Sequence, residues 1–284
     1  MEIINRRQRM SSITRKLRRE SKSVGLVPTM GALHEGHLAL IKEARQRCDV
    51  VIVSIFVNPK QFNDKTDLAK YPRDLTADAA MLADYEVDYI YAPEESEVYP
   101  EGFSTYVDVE GLTEVLEGAS RPGHFRGVTT VVSILFNSVR PDFAFFGQKD
   151  AQQVAVIKRM TLDLGFETEI VVVPTVRTAS GMALSSRNQL LSDEDRDRAA
   201  ILIEALRKAK LEFKKGERNA AHLTEIVRGH VNTVSGASID YVAVVDRESL
   251  RSLEKVSEDE ALIVAAVVIG GVRLIDNVIL NRKQ

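Results

Sequence analysis

The 284 residues are 44% hydrophobic and 28% charged, with 8 prolines, a composition too apolar for a disordered chain and a length suited to one large domain with a smaller one. A formal charge of -3 and a pI near 6.0 exclude general attraction to nucleic acid or an anionic membrane, so any anion must be held by locally placed cations. Cys48 is the single cysteine, which excludes an intrachain disulfide and a thiolate zinc cluster.

Arg6, Arg7, Arg9, Arg15, Lys16, Arg18, Arg19 and Lys22 crowd the N-terminal segment. Ile13 and Leu17, four apart, make it an ordinary helix with a solvated basic face rather than a polybasic arm. It lacks the apolar stretch of a signal peptide, and no run reaches the roughly 18 apolar residues that span a bilayer. A cytosolic protein is expected.

Short Val- and Ile-rich runs over 24–27, 50–57 and 88–92 are patterned as buried parallel strands. Between them Leu33, His37, Leu40 or Ile41, Ala44 and Cys48 recur at helical spacing, with Cys48 as core packing, and 76–85 predicts a second helix. After an irregular stretch over 93–123, a helix over 128–139 leads into a strand over 142–146, a helix over 152–164 and a strand over 167–173. The alternation predicts an α/β fold, a Rossmann-like doubly wound parallel sheet with ligands at the carboxyl ends of its strands. Beyond Pro174 the rhythm changes. Ser192 and Asp195 are spaced as a capping box opening a long helix to Lys215, and 220–231 predicts another helix. Runs over 239–245, 262–268 and 273–275 read as a small antiparallel sheet. The expected division is a Rossmann-like domain over 1–176 and a smaller C-terminal α+β domain over 177–284.

The first of these strands runs out into Pro28, Thr29, Met30, Gly31, Ala32, Leu33, His34, Glu35, Gly36 and His37, with a helix starting inside the run. Such a turn aims backbone N–H groups and the positive end of a helix dipole above the sheet, which favours phosphate. Gly31 and Gly36 allow a ligand to approach closely. His34 and His37, three apart, share a helix face and can donate together to phosphate oxygens. Paired histidines also bind zinc, but the run is not H-E-x-x-H and no third ligand cluster is visible; a structural pair is the other alternative.

The second strand ends in Asn58, Pro59, Lys60, Gln61 and Phe62, where Gln61 either reads a small polar substrate or sits solvated after a turn started by Asn-Pro. The fourth ends in Gly147, Gln148, Lys149 and Asp150, followed by a helix with Gln152 and Gln153. Lys149 supplies a point charge for phosphate and Asp150 can hold magnesium directly or through water, unless the two form a solvated turn. Past the fifth strand come Val176 and then Gly181, Met182, Ala183, Leu184, Ser185, Ser186, Arg187 and Asn188. Two hydroxyls and a guanidinium suit polyphosphate, and a plain capping turn is the alternative.

In this order the segments 28–37, 58–62, 121–128 (with Arg121, His124 and Phe125), 145–150 with Gln153, and 181–188 resemble the pantothenate synthetase family, also called pantoate-beta-alanine ligase, over the whole chain. That family belongs to the nucleotidyltransferase superfamily marked by H-x-G-H, here His34 to His37, shared with class I aminoacyl-tRNA synthetases and cytidylyltransferases. The resemblance implies an AMP-forming ligase in which pantoate and ATP give pantoyl-adenylate and pyrophosphate, and beta-alanine then displaces AMP. It implies an ATP site of Met30, Gly31, Ala32, Leu33, His34, Glu35, Gly36, His37, Gly147, Gln148, Lys149, Asp150, Val176, Leu184, Ser185, Ser186 and Arg187. Of these, His37, His34, Lys149 and Arg187 would be catalytic, and Asp150 would hold Mg2+ with the ATP phosphates. Gln61 and Gln153 would hold pantoate, with Gln61 also near beta-alanine. A cytoplasmic homodimer with no nucleic-acid or membrane partner is implied, the stretch 174–187 acting as the hinge of a closing C-terminal domain. Leu184 stands where many members have methionine, a volume-conserving change, and Ser185, Ser186 and Arg187 replace the lysine-rich second signature of the synthetases. Another H-x-G-H nucleotidyltransferase, cytidylyl- or adenylyl-transferring, is the alternative reading; it would keep the nucleotide in its product.

Overall fold

A computed structural model describes residues 1–257 and 261–281 of the chain. The apolar runs form six parallel strands, β1 (Glu2–Ile4), β2 (Val24–Thr29), β3 (Val50–Ile55), β4 (Tyr89–Tyr91), β5 (Phe143–Gly147) and β6 (Glu169–Val173), in the order β1-β4-β3-β2-β5-β6. Val24, Leu26, Val27, Val51, Ile52 and Val53 are all 0% exposed. Burial on both faces explains why these strands read as continuous rather than alternating apolar runs. Each such side chain contributes roughly 1.5–3 kcal/mol relative to exposure.

The helices among these strands are α1 (Arg7–Arg19), α2 (Glu35–Arg47), α3 (Lys65–Lys70), α4 (Leu75–Leu82), α5 (Glu95–Val98), α6 (Glu117–Ser120), α7 (His124–Val139) and α8 (Ala151–Asp163), and α1 and α2 pack on the sheet. Cys48 closes α2 and is 6% exposed; burial pushes its thiol up to about 11. The expected core-packing role is what is found.

Strands β3 and β4 wind off one side of β2, and β5 and β6 off the other. The gap between the carboxyl ends of β2 and β5 is therefore the topological switch point, where open α/β sheets bind ligands. The register Gly25↔Phe143 and Leu26↔Ala144 carries Thr29 level with Gly147, so the histidine-bearing turn and the strand that leads to Lys149 finish side by side.

Several expectations change. Strand β1 was not foreseen: with three residues, of which Ile4 alone is buried, it offers no period to read, yet it pairs with β4 at the sheet edge. Helix α7 starts at His124 rather than 128, directly after Gly123 at φ 80°. The helix expected over 192–215 is two, α9 (Asp193–Ala199) and α10 (Ile201–Lys214), meeting at Ala200.

By its contacts the chain divides into Met1–Gly147 with Gln152–Val173, and Gln148–Ala151 with Pro174–Gln284. In the second unit β7 (Ser238–Asp246), β8 (Ala261–Ile269) and β9 (Val272–Leu280) form an antiparallel sheet in that order. Helix α10 and α11 (Ala220–Val231) bury Leu206, Phe213, Leu223 and Val227 against Ile263, Ala265 and Val267. β9 is longer than the run 273–275 because its polar Asp276 and Asn277, 3% and 4% exposed, interrupt the apolar pattern from inside the core.

Candidate active site

Between β2 and α2 the backbone takes two successive left-handed steps, Gly31 at φ 80° and Ala32 at φ 50°. The step at Ala32 costs about 1–2 kcal/mol for a residue with a Cβ. It is held by Asp78 of α4, 4% exposed, whose Oδ2 accepts from Ala32 N at 3.1 Å and Oδ1 from Leu33 N at 2.8 Å. Gly31 is required there: a Cβ would lie 2.7 Å from Asp78 Oδ2. Gly31 N donates to Thr29 Oγ1 at 3.1 Å, and that hydroxyl donates to Ser54 O at 2.8 Å. The N–H groups of Gly31, Ala32 and Leu33 thus face protein acceptors, which corrects the expectation that this turn offers its backbone to a phosphate.

What the turn delivers instead is a pair of imidazoles. His34 is the N-cap of α2, its Nδ1 accepting from Gly36 N at 3.1 Å, and His37 Nδ1 accepts from His34 N at 3.3 Å. A nitrogen that accepts carries no proton, so each neutral ring holds its hydrogen on Nε2 and is a donor there. The ring centroids are 4.1 Å apart with 36° between planes. Two half-buried N–H donors therefore sit together at the positive end of a helix, a setting for negative charge.

The turn after β3 is organised by Asn58, 1% exposed. Its Nδ2 donates to Gln61 Oε1 at 2.9 Å and to Gly127 O at 3.0 Å; its Oδ1 accepts from Lys60 N at 3.2 Å and from the Tyr99 hydroxyl at 2.7 Å. Burial pushes the Tyr99 phenol well above its usual range, so it remains a donor. Gln61 Nε2 donates to Met30 Sδ at 3.1 Å, joining this turn to the end of β2. The segment after α6 clamps it from the other side: Gln61 O lies 2.8 Å from His124 Nδ1 and 3.3 Å from Arg121 Nη2. At Gly127 a Cβ would lie 2.4 Å from Lys60 O, so α7 meets the turn backbone to backbone. Three of the sequence segments, 28–37, 58–62 and 121–128, are thereby brought together.

On the first turn of α8, Gln152 is structural, its amide bound to Leu112 O, Val115 O and Glu117 N at 2.8, 2.8 and 2.9 Å. Its neighbour Gln153 is half-buried, and its side chain makes no hydrogen bond among the described residues.

Gly147 is the last residue of β5 in the first unit, and the remaining candidates belong to the second. The 3₁₀ turn Gln148–Asp150 follows β5 directly. Asn277 of β9 accepts from Gln148 Nε2 at 2.9 Å and donates to Gln148 O and Lys149 O at 2.9 and 3.0 Å, so Gln148 has a structural partner. Lys149 Nζ lies 3.6 Å from Asp150 Oδ1, the lysine side chain 20% and the carboxylate 44% exposed. Leu184 N donates to Val176 O at 3.0 Å beside the bridge Arg177↔Ala183, so Val176 and Leu184 close a narrow loop. Arg177 fixes that loop with a bidentate pair to the buried Asp276, 2.6 and 3.0 Å. Ser185 caps the 3₁₀ helix Ser186–Leu190, accepting from Arg187 N at 3.3 Å, which is the capping role held open above; Arg187 is exposed. Among the described residues no group of three or more His, Cys, Asp or Glu is arranged to hold a metal.

Sequence reasoning missed Asp78, Tyr99, Arg177, Asp276 and Asn277, and treated Asn58 as a mere turn former. Asp78 and Tyr99 act on residues more than 40 positions away, and no local spacing announces that. The NPxQ run itself could have pointed to Asn58, since an amide with both ends satisfied is a common way to pin a turn.

A family model described as pantoate-beta-alanine ligase matches residues 2–279. A pantothenate synthetase of Moorella thermoacetica is 52% identical over 99% of each chain, and one of Heliobacterium modesticaldum 51% identical over 99% of this chain and all of its own. Among solved structures, a pantothenate synthetase of Thermus thermophilus superposes with a TM-score of 0.92 at 43% identity, covering 99% of this chain and 100% of that one. A pantoate-beta-alanine ligase of Francisella tularensis, in complex with a beta-gamma ATP and beta-alanine, gives 0.81 at 38% identity over 99% and 98%.

Proposed function

The chain belongs to the pantoate-beta-alanine ligase family, and from that premise we propose that it joins pantoate to beta-alanine, forming pantothenate through a pantoyl-adenylate with release of pyrophosphate and then AMP. The carboxylate of pantoate is already a nucleophile, so the protein must align it rather than deprotonate it. One carboxylate oxygen bonds to the α-phosphorus while the bond from that phosphorus to the bridging oxygen breaks, and pyrophosphate leaves. The amine of beta-alanine then attacks the acyl carbon, loses a proton, and AMP departs with the oxygen that came from pantoate.

The hydrogen bonding of the two histidines is the observation that supports this reading most. With each Nδ1 accepting from backbone, His34 and His37 direct Nε2–H donors to the charge that grows on the α-phosphate and bridging oxygens. Lys149 and Arg187 add positive charge, and Met30, Gly31, Ala32, Leu33, Glu35, Gly36, Gly147, Gln148, Val176, Leu184, Ser185 and Ser186 complete the set that contacts ATP. Gln61, pinned through both its backbone and its amide, and Gln153, with an amide unspent among the described residues, hydrogen-bond pantoate. Magnesium, bound with ATP, would neutralise phosphate charge; Asp150 is the residue to hold it, because a half-exposed carboxylate suits an ion whose other ligands are phosphates and water.

Residues 1–176 carry nucleotide and pantoate in this proposal, and 177–284 form a lid associated with a homodimer. No helix among the described residues is long and apolar enough to cross a membrane, which accords with a cytoplasmic enzyme. Pantoate labelled with oxygen-18 in its carboxylate tests the chemistry: the label should appear in AMP. Label in inorganic phosphate, with ADP as the nucleotide product, would exclude the adenylate.

A further inference from the structure

Around the left-handed residues Gly31 and Ala32 the N–H groups of Ala32 and Leu33 turn toward one carboxylate, a concavity of backbone donors like those that hold anions. Here the anion is supplied by the protein. Asp78 occupies the cradle with one oxygen on Ala32 N and the other on Leu33 N, at 3.1 and 2.8 Å, is 4% exposed, and makes no ion pair among the described residues. A charge buried without a cation is costly, and what Asp78 obtains for it is a fixed path for the chain entering α2. Its two donors lie directly before His34, whose place as N-cap sets its own ring and, through the reciprocal bond from His34 N, the ring of His37.

We propose that Asp78 is a positioning residue for the histidine pair, standing in for phosphate in the backbone cradle so that the imidazoles, rather than the N–H groups of Ala32 and Leu33, donate to the phosphates. This rests on the reading of His34 and His37 as donors to ATP. α4 is built to present the carboxylate: Asp74 caps it through Ala77 N at 2.9 Å, with Asp78 in the helix's first turn.

The test uses the full-length enzyme and pantoate-dependent pyrophosphate–ATP exchange, with Asp78→Asn, His37→Ala and the double variant. Asp78→Asn is nearly isosteric but sets an amide NH2 against one of the two N–H donors. It should lower kcat about 10- to 100-fold with the KM for ATP within about 3-fold, the signature of a misplaced donor rather than a lost binding contact. The double variant should be slower than His37→Ala alone by clearly less than the loss Asp78→Asn causes in the parent, because Asp78 acts in part through the ring that has already been removed. Gly31→Ala, whose Cβ would strike Asp78 Oδ2, should reproduce the same split and decides the matter if Asp78→Asn does not fold. Losses that multiply in the double variant, or Asp78→Asn and Gly31→Ala at the parent rate beside a crippled His37→Ala, overturn the proposal alone. His37→Ala at the parent rate removes the histidine reading and the proposal with it.

Discussion

Replacing Asn58 by Ala should loosen the first unit and the substrate turn together. The carboxamide makes four hydrogen bonds, but they do not weigh equally. Gln61 is half-buried and Lys60 exposed, so both can turn to water. The Tyr99 hydroxyl is enclosed, and its raised pKa keeps it a donor in need of an acceptor. One or two orphaned buried groups at about 1–3 kcal/mol each, with a small cavity where the amide stood, give a loss of about 3 kcal/mol. At about 2–4 °C per kcal/mol for a unit of this size, the midpoint should fall by about 6–12 °C in scanning calorimetry. Tyr99→Phe should cost about 1 kcal/mol, and Asn58→Ala combined with Tyr99→Phe should lose less than the sum. Because Gln61 would lose its anchor, the KM for pantoate should rise about 10-fold. A midpoint shifted by less than about 2 °C, or strictly additive losses, would refute the assignment of Asn58 as the hub.

His37→Ala should lower the exchange rate by about 100- to 1000-fold while the KM for ATP stays within about 3-fold; equal changes in both would deny it a role confined to the transition state. Arg177→Met would leave Asp276, with a side chain 2% exposed, without its cation and should destabilise the second unit by about 3–5 kcal/mol, read as an earlier calorimetric transition. The Cys48 thiol, raised by burial from 9.0 to about 11, should resist alkylation at pH 8 in the native protein and react on unfolding. Since the native state holds that proton more tightly, stability should decline as pH climbs from 9.0 to about 11, and Cys48→Ala should flatten that decline; an unchanged slope would show the thiol to be solvated.

How much could be read from sequence follows from the range of each interaction. β2 and β3 were legible because strands buried on both faces must be apolar throughout, whereas β1 is too short to show a period. The end of β9 was hidden because Asp276 and Asn277 are core residues satisfied by Arg177, Gln148 and Lys149, partners about 100 or more positions away. The histidine pair was visible because its hydrogen bonds are local, three residues or fewer apart. The direction of the N–H groups before it was misread, since their acceptor Asp78 lies about 45 residues on. The break between α9 and α10 at Ala200 has no physical account in its neighbours.

Exchange of labelled pyrophosphate into ATP isolates the first half-reaction from everything that follows it. The enzyme with ATP, magnesium and pantoate, and no beta-alanine, should return label to ATP, and omission of pantoate should abolish it. Exchange that persists without pantoate, or that begins when beta-alanine is added, would contradict an adenylate formed on the pantoate carboxylate.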